Sequence, residues 1–260
     1  MGAVGKMSQS SDRPSKLNIL HSNISNWKKK VKSVESTPSH CKETRWQIEH
    51  YPTCQIIHET DLKKTLSNID NFIGNGYWRS VWGIGNTEEG KREAVIKIMQ
   101  TKHEFSFRNF ERHRRDSMTM EVLSDNPYVV DEYGFCGNSV LTEFVGSDLT
   151  KIVQNPLTRS RRSAEWKQRH EHHKYYPPVK NFTIVKKLDL ALDTVHGGKA
   201  LHTLDGPVFH ADVTAKQFLV GEKVKINDFN RCRFRMRNTR DHNNKSYCSV
   251  RIPSAPGEQL

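Results

Sequence analysis

The stretch FHADVTAKQFLVGEKVKINDFNRCRF, Phe209 to Phe234, decides how this chain is read. It carries two aspartates, Asp212 and Asp228, on either side of FLV, the turn pair Gly221-Glu222, and VKIN. Two short apolar runs joined by a tight turn predict a β-hairpin, which would hold the two carboxylates at the ends of one small unit. A single aspartate after a strand is ordinarily a turn or cap residue. Two that frame one hairpin point instead to a shared site.

Working outward, FTIVKKLDLALDTVHGGKALHTL, Phe182 to Leu204, is amphipathic and apolar enough for a buried helix. Before it, residues 151–180 are poor in apolar side chains and rich in Lys and Arg, with RSRRSAEWKQRHEHHKYYPP at their centre, and read as an inserted basic loop. The HEHH run (His170 to His173) has no second cluster at ligand spacing, so a metal site is not expected there. Further upstream, DNFIGNGYWRSVWGI and REAVIKIM predict a hairpin and a buried strand around the turn signal NTEEGK. FRNFERHRRDSMTMEVL repeats apolar residues at helical spacing, and YVVDEYGFC and SVLTEFV add two strands around Gly137-Asn138. Residues 1–55 lack sustained periodicity and read as a flexible basic leader with one short helix near Ile24 to Val34.

Composition sets the wider limits. A chain of 260 residues can bury a core, and its net charge of +12 favours acidic partners. Five scattered cysteines (Cys41, Cys54, Cys136, Cys232, Cys248), never spaced CxxC, predict neither a disulfide framework nor zinc, and hence a reducing, intracellular setting, cytoplasmic or nuclear. Under that reading the sequons at Asn23, Asn181 and Asn244 carry no meaning. No apolar run approaches the roughly 20 residues of a membrane helix. The basic insert lacks placeable groove-reading elements, so nucleic acid is not an expected partner.

Four signatures occur in the order used by protein kinases: IGNGYWRSV (Ile73 to Val81), AVIK (Ala94 to Lys97), HADVTAKQ (His210 to Gln217) and DFN (Asp228 to Asn230). From about Ile69 onward the chain therefore resembles the protein kinase superfamily. The resemblance implies an α+β fold with a β-rich N-lobe bearing one helix over residues 56–145, and a partial, mainly helical C-lobe over 146–260 with the basic insert. It also implies ATP as phosphate donor, magnesium, and a protein substrate.

Phosphoryl transfer rests on positioning and charge neutralisation around a metal-bound triphosphate. On the family pattern, Lys97 holds the α and β phosphates, Gly74 and Gly76 let backbone amides approach them, and Val81, Thr142, Glu143 and Val145 line the nucleotide pocket, with Thr142 as gatekeeper. Asp212 orients the acceptor hydroxyl, while Asp228 and Gln217 take the metal-binding positions. For the helix acid that pairs with Lys97 the pattern leaves Asp116 or Glu121, and Asp116, which precedes Met120 by four, fits better than Glu121, which precedes Asp125 by the same interval.

The departures are equally specific. Arg79 stands at the third glycine, Ala211 at the arginine of HRD, Gln217 at the metal-binding asparagine, and Asn230 at the glycine of DFG, where it can accept the positive φ of that turn. The chain ends soon after Ala255-Pro256, without the later helices of the family. That ending implies an exposed apolar face on the helix of residues 182–204 and a partner to cover it. The expectations are thus a protein-kinase-like phosphotransferase or, as the alternative, a pseudokinase module that acts through contacts.

Overall fold

The computed structural model describes residues 38–49, 52–85, 92–153, 183–241 and 246–248. Within them the chain starts with a two-residue strand, Cys41–Lys42 (β1), and three short helices, Arg45–Glu49 (α1), Gln55–Glu59 (α2) and Leu62–Ser67 (α3). The expected leader through residue 55 is therefore too long. β1 pairs with a strand near the other end of the sequence, and Trp46 of α1 is buried in the main core. The helix expected near Ile24 to Val34 and the HEHH run lie outside the described residues.

Phe72–Asn75 (β2), Arg79–Ile84 (β3), Ala94–Met99 (β4), Glu132–Cys136 (β5) and Ser139–Glu143 (β6) form an antiparallel sheet in the order β2-β3-β4-β6-β5. Side chains alternate across a strand, so Ala94, Ile96 and Ile98 face one way and Val95 and Lys97 the other. Ile96 is fully buried with Ile57 and Leu141, packed by Leu62, Trp82 and Ile84 beneath α2 and α3. The opposite face receives the helix Phe107–Val122 (α4), which begins where Ser106 accepts a hydrogen bond from Asn109 N. Helical spacing sets His113, Asp116, Ser117 and Met120 on its buried side.

The second half comprises Ser147–Asp148 (β7), Leu149–Val153 (α5), Ile184–Thr203 (α6), Val208–Phe209 (β8), Phe218–Val220 (β9), Val224–Ile226 (β10), Arg233–Phe234 (β11), Met236–Asn238 (β12) and Tyr247–Cys248 (β13). The predicted hairpin is present as β9–β10, with Ile226 opposite Phe218. α6 starts at Thr183, which accepts from Lys186 N, and lies close over β10. That close approach falls at Gly197, where a Cβ would meet Tyr128 O at 3.0 Å and Ile226 Cγ2 at 3.2 Å, tighter than ordinary van der Waals contact. Reciprocal bonds, Ile226 N to Tyr128 O and Val130 N to Ile226 O, fasten the segment after α4 to β10. One apolar cluster then runs from Met118 and Met120 through Val129 and Val140 to Leu201, Val208, Phe218 and Phe229. The fold is mixed α+β with antiparallel sheets. As the sequence implies for its long helix, Ile184, Val185, Leu188, Leu192 and Val195 stay more than half exposed.

The cysteines require a correction. Cys41 is bonded to Cys248 and Cys54 to Cys136, with Cα separations of 5.8 and 4.7 Å, so four of the five form disulfides. Scattered spacing concealed this because the partners stand 207 and 82 residues apart and meet only in the folded chain. Cys41–Cys248 ties β1 to β13 on either side of β12; Cys54–Cys136 ties the N-terminal cap of α2 to β5. Cys232 is the free thiol, buried, with burial pushing its pKa up to about 12. Disulfides persist in oxidising compartments, so the reasoning that led from unpaired cysteines to a reducing setting no longer holds. Loops this long carry roughly 4–5 kcal/mol of stabilisation each in the chain-entropy account. Reduction should therefore lower the melting temperature by roughly 10 °C or more, and thiol counting on the unreduced, denatured chain should return one group rather than five.

Candidate functional site

Strand parity and helix spacing bring the expected residues to one place. Lys97 faces the α4 side of the sheet, and its cross-strand partners Val81 and Val140, with Thr142 beside Val95, share that face. Asp116 projects from α4, and Asp228 follows β10. Lys97, Asp116 and Arg79 are all buried, and Asp116 has no exposed surface.

The pairing is not the one the kinase resemblance implies. Lys97 Nζ donates to Asn227 Oδ1 at 2.5 Å, while Asp116 is paired with Arg79. Arg79 Nη1 lies 2.6 Å from Asp116 Oδ2, an ion contact without hydrogen-bond alignment. Its Nη2 donates to Asp228 Oδ1 at 3.0 Å. The other oxygen of Asp116 accepts Phe229 N at 2.6 Å, and Asn230 Nδ2 donates to the same Asp228 Oδ1 at 2.6 Å. The guanidinium thus bridges the helix carboxylate and the carboxylate after β10.

Charge states follow from this enclosure. Burial lowers the Lys97 pKa, partly offset by Asp116. Burial alone would raise Asp116, but Arg79 and then Lys97 outweigh it and hold the carboxyl below its ordinary value. Next to them, burial raises Glu132 to about 8 although Ser117 Oγ donates to its Oε1 at 2.6 Å. His113, bonded to Asn138 Oδ1, is lowered to about 4 by burial and then by the charge of Arg79.

The loop residues sit as follows. Asp212 is half-buried; it accepts from Gln217 Nε2 at 3.3 Å and has Arg231 Nη1 at 4.0 Å. Buried His210 holds Asn227 O at 2.9 Å, which fixes the HAD segment against the start of the DFN segment. Positive φ falls at Ala211 (59°) and Asp228 (62°), not at Asn230 as expected. Asn230 serves instead as a donor to Asp228. Gly76 donates its N–H to Arg79 O at 2.8 Å, and Gly74 lies opposite Val81. Thr142 is buried with its hydroxyl turned to Glu143 O; Glu143 pairs with Lys225 at 2.5 Å; Val145 packs against the main core.

Sequence reasoning missed the contacts of Arg79 and Asn227. The signal for Arg79 was available in strand parity: it precedes Val81 by two, and Val81 lies opposite Lys97, so an arginine there must point into the Lys97 face. Nothing in the sequence marked Asn227.

The cations fit phosphate chemistry in kind, but Arg79 is already paired with two carboxylates and Lys97 already donates to Asn227. The metal-binding set does not fit: Asp228 Oδ1 holds two donors, and the Gln217 amide nitrogen is turned to Asp212. No protein-family model and no curated protein sequence matches the chain.

Two predictions follow from the enclosed charges. Replacing Asp116 by Asn leaves Arg79 buried beside a neutral group, and chemical denaturation should show a loss of about 3–5 kcal/mol. For Glu132, the folded value of about 8 exceeds the ordinary 4.5, so the folded state holds this proton more tightly than the unfolded chain. Its stabilising contribution is complete below about pH 4.5 and is lost as the pH rises toward about 8. Melting curves of Glu132→Gln, which cannot ionise, should therefore decline less than wild type across that window.

Proposed function

We propose that this chain is a pseudokinase: a protein-kinase-like module that acts through contacts with a protein partner and transfers phosphate weakly or not at all. The reading is supported by the sequence resemblance, by the antiparallel sheet with α4 against the Lys97 face, and by the meeting of Lys97, Asp116 and Asp228. One observation carries the choice between kinase and pseudokinase. Arg79 is buried and ion-paired both with Asp228, at the metal-binding position of the pattern, and with Asp116, at the position that should pair with Lys97. Phosphoryl transfer draws its rate from cations placed on the transferring group, and here the cations are committed to the protein.

A phosphotransferase acting on a protein hydroxyl, with ATP as donor, is the second reading. It is favoured by Asp212, which is half-exposed and oriented by Gln217 at the position that steers an acceptor hydroxyl. In either case the two disulfides favour an oxidising compartment over the cytoplasm or nucleus. Among the described residues no helix is long and apolar enough to cross a membrane.

Radiolabelled transfer from MgATP to a generic protein substrate separates the readings. The wild-type chain should stay at the level of Asp212→Asn, and millimolar MgATP should leave its melting temperature unchanged. Transfer well above background that disappears in Asp212→Asn, with a MgATP-dependent melting shift lost in Lys97→Met and Asp228→Asn, would establish the phosphotransferase instead.

A further inference from the structure

In a kinase-type cleft a divalent cation offsets the repulsion between a polyphosphate and the metal-binding aspartate, which on the family pattern is Asp228. In this chain a guanidinium already lies between Asp228 and the helix carboxylate Asp116, at 3.0 and 2.6 Å. We propose, resting on the kinase-like reading of the cleft, that Arg79 is a resident cation that takes the place of the divalent metal and excludes it from Asp116 and Asp228.

Four observations carry this beyond a simple surface ion pair. First, Arg79 is 5% exposed and Asp116 0%, so this pair is enclosed and weakly screened by solvent, while the Asp228 side chain is 30% exposed. Second, their sum is already neutral: Arg79 and Lys97 balance Asp116 and Asp228, while burial keeps neighbouring Glu132 protonated near neutral pH. A divalent ion would bring an uncompensated double charge within reach of a buried guanidinium.

Third, the hairpin tip that delivers Arg79 is pinned. Gly76 N donates to Arg79 O at 2.8 Å, and Gln100 Nε2 donates to Gly76 O at 2.7 Å. His103 meets Tyr77 O at 2.6 Å and packs tilted against Trp78 with ring centroids 4.5 Å apart, while the Arg112 guanidinium lies 4.4 Å from the Trp78 ring centroid. Fourth, Asn230 and Gln217, which replace the family's turn glycine and metal-binding asparagine, both present amide nitrogen to the aspartates. Asn230 adds a donor where the family has glycine, and Gln217 turns its amide nitrogen rather than its oxygen to an aspartate, where a metal would add a Lewis acid.

Manganese binding to the full chain, followed by electron paramagnetic resonance of the free ion at neutral pH, tests the assignment without relying on activity. Wild type and Arg79→Lys should show only weak, non-specific manganese binding, and Asp228→Asn should leave the wild-type curve unchanged. Arg79→Gly should gain one site at least about tenfold tighter, because two converging carboxylates lose their cation. A specific site in wild type that Asp228→Asn removes would overturn the proposal, even if Arg79→Gly fails to fold. So would a folded Arg79→Gly that binds no better than wild type. Phosphate transfer by the wild-type chain would defeat the pseudokinase reading, whereas a wild-type manganese site without transfer would defeat only the role given to Arg79.

Discussion

The guanidinium of Arg79, held between Asp116 and Asp228, is the contact on which the arrangement of this domain turns. Its three participants come from β3, from the middle of α4 and from the second residue after β10, so one largely buried charge cluster joins the sheet, the helix and the hairpin unit. A buried charge without a partner is far costlier than one that is paired. These elements are therefore constrained to meet where the charges cancel. Phe229 N donating to Asp116, Asn230 donating to Asp228, and Lys97 donating to Asn227 extend the same cluster along the backbone after β10. The positive φ at Asp228 is the local cost of aiming its carboxylate at Arg79.

Two further features brace this centre. The apolar cluster around Met118, Met120, Val129, Ile226 and Phe229 packs directly behind it and fixes α4 relative to β10. On the far face of the sheet, α2 and α3 cover Ile96 and Leu141, and the Cys54–Cys136 disulfide holds α2 to β5. The sheet is thus covered on both faces. Lys97 points inward because its neighbours Ile96 and Ile98 point the other way.

Much of this was legible in the sequence because it is local. The hairpin after His210, the strands around AVIK, the helix of residues 107–123 and the apolar face of α6 all follow from periodicities of two and 3.6 within short windows. The convergence of Lys97, Asp116 and Asp228 was legible only through the order of the motifs, since they lie far apart in the chain. What stayed hidden was long-range chemistry. The disulfide partners have no local signature, and residues 41–49 look polar until β1 finds β12. Arg79 was visible as a missing glycine, and strand parity marked only the face it shares with Val81; the bridge itself was not visible, because its carboxylates lie 37 and 149 residues away. The expected positive φ at Asn230 failed for a related reason: a donor to Asp228 was needed there more than a turn.

The most direct test of the central claim is a double-mutant cycle on the stability of the domain, built from Arg79→Met, Asp116→Asn and the double variant. If the guanidinium and the carboxylate compensate one another in the interior, each single change costs stability, and the double variant loses less than the sum by well over about 1 kcal/mol. Costs that simply add, with coupling near zero, would mean that Arg79 and Asp116 do not depend on each other, and the account given for this cluster would be wrong.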